Sequence, residues 1–167
     1  MIMIFEKIEE KAEETLSEFD IKSIPIPVEE ISSRLNIQIS RAASKDFSGL
    51  LIRKDGHALI GVNSIEAPVR QRFTIAHELG HFFLHPQKDT FVDYRDNRED
   101  VVRTPREREA DMFAAALLMP RSSLVKDFKS LAKSGFTEDE LQLLARKYQV
   151  SEKAMRFRLL NLNLGKL

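Results

Sequence analysis

The chain has 167 residues, of which 43% are apolar and 31% charged, a balance that suits one soluble globular domain and excludes wholesale disorder. Its 26 basic and 26 acidic side chains cancel, which excludes a global field toward nucleic acid or acidic lipid, and the lack of cysteine excludes disulfides and thiolate metal sites. The apolar start at Met1 meets Glu6 too early for a signal peptide, and the longest apolar run, Met112 to Met119, is too short to span a bilayer, so a soluble cytoplasmic protein is expected.

Phe5, Ile8, Ala12, Leu16 and Phe19 recur at helical spacing and predict an amphipathic first helix. Ile24-Pro25-Ile26-Pro27 stops it, and Pro27 suits the first position of a short helix ending near Leu35. Strand-like segments follow over 37–40, 47–53 and 57–62. The last two flank Lys54-Asp55-Gly56, a hairpin signal. Asn63 and Ser64 offer caps, and Pro68 opens a long helix through His85 that Pro86 ends. Residues 87–103 carry nine charged side chains without apolar periodicity and are expected to form an exposed loop, either a connector or a lid. Thr104 and Pro105 begin a helix to Met119, closed by Pro120. Helices over 122–133, 138–148 and 152–162 complete the chain, with Thr137 and Glu140 forming a capping box.

Within the long helix stands His77-Glu78-Leu79-Gly80-His81. Residues four apart share a helical face, so both imidazoles can reach one cation, and Glu78 is placed to take a proton from a water that the metal acidifies. Gly80 costs a helix interior about 1 kcal/mol against alanine, which suggests either that another element approaches closely beside the ligand or that a helix-packing contact falls there. His85 lies about 12 Å along the axis from His77, too far for one metal to bridge both, and reads as a helix-end residue. A third ligand is sought in Glu107 or Glu109. Glu107 is preferred because Asp111 follows it by four and can accept the second ring proton of a ligand histidine. Thr104 with Glu107 also reads as a capping box that needs no metal, and spacing leaves the two readings open.

Arg72 to His85 resembles the metal-binding helix of the ImmA/IrrE family of metallopeptidases, and Glu107 to Pro120 resembles its second signature. Ile24 to Pro27, Ser48-Gly49-Leu50 and Val150-Ser151 with Arg158-Leu159 extend the resemblance over nearly the whole chain. It implies a zincin-like α+β fold, a small three-stranded sheet packed on the metal-binding helix with additional C-terminal helices. It further implies His77, His81 and Glu107 as ligands, Glu78 as general base, and peptide hydrolysis directed at a phage-type helix-turn-helix repressor. The charged segment 87–103 has no counterpart in the resemblance. Zinc is the expected metal, although manganese or iron also suits two histidines and a carboxylate. The resulting expectation is one metallopeptidase domain over 1–167, made of a first helix and sheet (5–62), two metal-binding helices (66–120) and a helical segment (121–167). Tyr94, His57 and His85 are candidate donors to the reaction's oxyanion.

Two rival readings remain. Residues 138–162 are weakly helix-turn-helix-like, and Lys147, Lys153, Arg156 and Arg158 could meet phosphates, although 138–167 holds six basic against four acidic residues, a small excess for a DNA reader. The alternative function is therefore a DNA-binding or sensor protein that keeps a metal site without proteolysis. A purely structural site does not need Glu78.

Overall fold

The computed structural model describes residues 2–94, 104–132 and 135–164. In chain order the elements are α1 (Ile2–Glu18), α2 (Val28–Arg34), β1 (Ile37–Ala42), β2 (Phe47–Lys54), β3 (His57–Asn63), α3 (Pro68–Leu84), β4 (Thr90–Tyr94), α4 (Pro105–Leu118), α5 (Arg121–Leu131), α6 (Glu138–Tyr148) and α7 (Glu152–Asn161). They group into two compact units, residues 27–114 and residues 1–26 with 115–167. Helix α4 starts in the first unit and ends in the second. No helix among the described residues is long and apolar enough to cross a membrane.

The unit 27–114 holds a mixed sheet in the order β1-β3-β2-β4, with β1 parallel to β3 and the other pairs antiparallel. The β2–β3 hairpin turns on Asp55 and Gly56, both at positive φ (51° and 78°), as the two-residue turn with the twist of the flanking strands requires. One row of apolar residues runs across the strands through the register pairs Ile39–Ile60, Ile60–Leu51 and Leu51–Phe91. Of these, Leu51, Ile60 and Phe91 are buried.

Three differences from the sequence reading have local causes. Among the described residues the sheet has four strands, because Thr90–Tyr94 lies inside the segment expected to be a loop. With charged neighbours and Phe91 as the one buried side chain among those described, so short a strand shows no apolar period. Asn63 does not cap α3. It is buried, donates to the carbonyls of Ser44 and Phe47 (both 2.9 Å), and so ties the β1–β2 connection to the end of β3. Helix α3 instead begins with Pro68 in its first turn and Ala67 as cap. In the helical unit α5 starts at Arg121, and the expected end at Lys133 lies outside the described residues.

That unit, residues 1–26 and 115–167, buries Ile8, Ala12 and Leu16 of the predicted α1 stripe, with Phe5 and Phe19 half-buried, together with Leu124, Leu141, Leu144, Tyr148, Met155 and Leu159. The capping box of Thr137 and Glu140 is present, and Ser151 caps α7 by accepting from the Ala154 N–H (3.1 Å). Among the apolar groups sits Arg158, only 1% exposed. It pairs with both oxygens of Glu9, and its Nε donates to the Met119 carbonyl (3.1 Å). Lys147 pairs with Asp127 (2.7 Å) and Arg156 with Glu138 (2.6 Å). Three of the four basic residues considered for phosphate contact are thus committed to carboxylates within the chain, which lowers the charge they can offer a nucleic acid.

A buried charge whose partner is removed is costly. Arg158→Met should therefore lower unfolding free energy by about 3–5 kcal/mol. Adding Glu9→Leu should recover much of the loss, as measured by urea denaturation of the two variants.

Candidate metal centre

Helix α3 is buried continuously from Thr74 to His81, so its polar residues there must find partners inside the protein. His77 and His81, one turn apart, bring their Nε2 atoms within 3.1 Å of each other. From α4, Glu107 places Oε2 at 3.1 Å from His77 Nε2 and Oε1 at 3.4 Å from His81 Nε2. The three ligand-type atoms all lie within 4.8 Å of one another. Two imidazole nitrogens facing at this distance repel unless one carries a proton or both turn their lone pairs to a shared cation. With an adjacent carboxylate, they form a donor set that zinc accepts.

Glu78 supplies a second test of fit. It is 0% exposed, and among the described residues neither of its carboxylate oxygens has a hydrogen-bond partner. Such a group is costly in a folded interior and calls for a partner of another kind. Burial pushes its pKa up to about 8, His77 opposing and the nearby Asp93 and Glu107 adding to the rise. Burial likewise lowers His81 to about 4, so its imidazole is neutral, the form that binds metals. Burial would raise Glu107, yet the hydrogen bonds with His77 and His81 hold its carboxyl well below the usual range. Neutral imidazole beside ionised carboxylate is the protonation state a cation needs.

Two glycines allow this geometry. A Cβ on Gly80 would stand 3.0 Å from the Ala110 Cα and carbonyl oxygen, so α4 lies directly against α3 at this point. Glu107 is one turn before Ala110, and the contact therefore sets how far its carboxylate reaches. A Cβ on Gly49 of β2 would collide with the Thr74 side chain at 2.3 Å and approach Glu78 Oε1 at 2.9 Å. The strand backbone accordingly covers Glu78. Two residues on, Leu51 fills the core on the same strand face, and two further on, Arg53 reaches the end of α3. Its guanidinium donates to the carbonyls of His81 (3.0 Å), Phe82 (2.7 Å), His85 (3.1 Å) and Lys88 (2.7 Å). These include carbonyls that a helix end leaves without intrahelical partners.

The residues expected from the sequence come together as a group. Asp111 Oδ1 lies 3.0 Å from His77 Nδ1, the atom turned away from the cluster. Of the expected capping box only one half forms: the Glu107 backbone N–H donates to Thr104 Oγ1 (3.3 Å), while the carboxylate that would close the box faces the histidines instead. Glu109, the other carboxylate considered, meets His85 at 2.9 Å and is not in the cluster. His57 is exposed at the hairpin end, and Tyr94 closes β4; the rest of the proposed lid, residues 95–103, lies outside the described residues. Sequence reasoning missed Arg53, Gly49, and Phe91, whose ring stacks on His81 (4.0 Å between centroids, 15°). Gly49 did carry a signal, since a glycine inside a strand marks a bulge or a close approach. Here both occur, with a register shift between Phe47 and Gly49.

A family model described as the IrrE N-terminal-like domain matches residues 32–160. The radiation response metalloprotease IrrE of Deinococcus deserti is 41% identical over 96 residues, covering 57% of this chain and 33% of that protein. The metallopeptidase ImmA of Bacillus subtilis is 34% identical over 71 residues, covering 42% of this chain and 40% of that protein. The chain thus spans about a third of the length of the first of these relatives and two fifths of the second. Among solved structures, a Mycobacterium tuberculosis transcriptional regulator aligns with 92% of this chain and 46% of its own, at a TM-score of 0.66 and 17% identity, a likeness of fold.

The Gly80–Ala110 contact predicts a specific response. Gly80→Ala improves helix propensity by about 1 kcal/mol, but overpacking two backbones costs roughly 1–3 kcal/mol and pushes Glu107 away. Metal affinity, measured by competition with a chelator, should fall on the order of 10-fold or more.

Proposed function

Because the chain belongs to the family of the IrrE N-terminal-like domain, we propose that it is a zinc-dependent endopeptidase acting on a helix-turn-helix transcriptional repressor in the cytoplasm. The observation that carries this reading is the convergence of two buried imidazole nitrogens and one carboxylate oxygen beside a buried, unpartnered Glu78.

In this proposal His77, His81 and Glu107 hold the metal, and Asp111 fixes His77 in the tautomer whose Nε2 lone pair faces it. When bound, the cation supplies Lewis acidity, polarising a peptide carbonyl and making a water a stronger acid. Glu78 takes that water's proton on a carboxylate oxygen and returns it to the leaving nitrogen. Its isolation suits the task, because a carboxylate already saturated by donors would be a weaker base. The positive charge of the ion would draw its raised pKa downward, toward a value at which proton uptake and release are both accessible. A structural metal site has no use for this residue, which weighs against a sensor without proteolysis. The ion pairs of Lys147, Arg156 and Arg158 weigh against DNA binding through 138–162.

The choice of zinc rests on the donor set, two imidazoles and one carboxylate. The repressor as substrate rests on the resemblance of the two signatures, residues 72–85 and 107–120, to the ImmA/IrrE peptidases.

The test is cleavage of a phage-type helix-turn-helix repressor by the zinc-loaded chain, followed on a gel beside elemental analysis. Glu78→Gln should keep near-stoichiometric metal and slow cleavage by a factor on the order of 10²–10⁴. Unimpaired cleavage by that variant, or loss of its metal, would contradict the assigned role.

A further inference from the structure

We infer that His85, oriented by Glu109, is the positioning residue that holds His81 in its metal-binding tautomer. The inference rests on the metal-site reading above and extends it to two residues outside the ligand set.

A histidine that gives one ring nitrogen to a metal carries its proton on the other, and that N–H needs an acceptor. For His77 the acceptor is Asp111. Nε2 of His81 faces His77 and Glu107, so Nδ1 is the nitrogen turned away, and it lies 3.1 Å from Nδ1 of His85. A second imidazole can serve as acceptor only if that nitrogen is bare. The proton of neutral His85 must then sit on Nε2, which lies 2.9 Å from Glu109 Oε2. The carboxylate thus selects the tautomer: a bare Nε2 would face its negative charge, whereas Nε2–H donates to it. With this choice every donor along Glu109, His85 and His81 meets an acceptor, and the lone pair of His81 Nε2 is left for the cation. The opposite choice puts a proton on His81 Nε2 and closes the site.

Surrounding structure keeps the relay in register. His85 is the C-cap of α3 and its backbone N–H donates to the His81 carbonyl (3.1 Å). Arg53 binds the carbonyl oxygens of both His81 and His85. Phe91 stacks on His81, and its ring lies 5.7 Å from that of His85. Glu109 immediately precedes Ala110, the contact point with Gly80, and at about 100° per residue it flanks that contact on the side opposite Asp111. Helix α4 therefore supports each histidine from its own side, Asp111 directly and Glu109 through His85. A plain helix-end histidine paired with a carboxylate would not need its inner nitrogen on a ligand.

Two measurements on the 167-residue chain test this. In the first, zinc affinity is measured by chelator competition for wild type, His85→Phe, His85→Gln and Glu109→Met. Phenylalanine keeps a ring beside Phe91 but removes the acceptor, and affinity should drop about 10- to 100-fold. Glutamine restores an amide oxygen that can accept, and should recover part of the loss. Glu109→Met should also weaken binding, by a smaller factor. In the second, nitrogen-15 NMR of the zinc-loaded wild type should show His81 protonated at Nδ1 and His85 at Nε2, a readout that does not depend on any variant folding. Wild-type affinity in His85→Phe, equal loss in the phenylalanine and glutamine variants, or a proton on His85 Nδ1 would overturn the relay. A wild-type chain that takes up no zinc would overturn the metal reading beneath it as well.

Discussion

The spacing between α3 and α4 governs the site. Gly80 lets the two backbones touch at Ala110, and from that contact a carboxylate one turn earlier reaches both ring nitrogens while Asp111, next along α4, reaches the far side of His77. Two histidines on a helix define only an edge of a coordination sphere; the third donor is brought by packing. A single methyl group at position 80 would act on the distance between donors more than on the fold. That is why the helix tolerates a residue that weakens it by about 1 kcal/mol.

Strand β2 imposes the second constraint, and its alternation explains how. Residues 49, 51 and 53 face the same way, and their sizes grade from none to large. Gly49 admits the backbone over Glu78, Leu51 fills the core, and Arg53 ties down the carbonyl end of α3. The guanidinium fixes the end of the helix that carries His81 and His85, and burial lowers its pKa although Asp89 opposes this. The cost of putting the histidines inside is met by pairing, His77 to Asp111, His81 to His85 and His85 to Glu109. Glu78 alone among these site residues lacks a protein partner.

Much of this was legible in the residues themselves. The histidine pair and Glu78 followed from helical period, the close approach at Gly80 from its cost in a helix, and Asp111 from its spacing to Glu107. The hairpin at Asp55-Gly56 and the Thr137 capping box were local signals and formed as expected. What stayed hidden depends on tertiary pairing. Among its described side chains β4 carries one that is apolar and buried, and its place at the sheet edge is set by β2 rather than by its own pattern. Arg158 looks like a surface arginine in sequence and is buried by Glu9, 149 residues away. His85 lies outside the cluster of ligand-type atoms, and its axial distance from His77 does not reveal its ring contact with His81. Arg53 reads as an ordinary strand residue until the helix end above it is known.

X-ray absorption at the zinc edge tests the central claim most directly, because it reports which atoms surround the ion in the purified chain. The structure predicts a low-coordinate shell of nitrogen and oxygen at about 2.0–2.2 Å, with the outer-shell scattering of two imidazole rings. That imidazole signature should be halved in His81→Ala. An all-oxygen shell without ring scattering, or a spectrum unchanged by the loss of His81, would place the metal elsewhere and contradict the account.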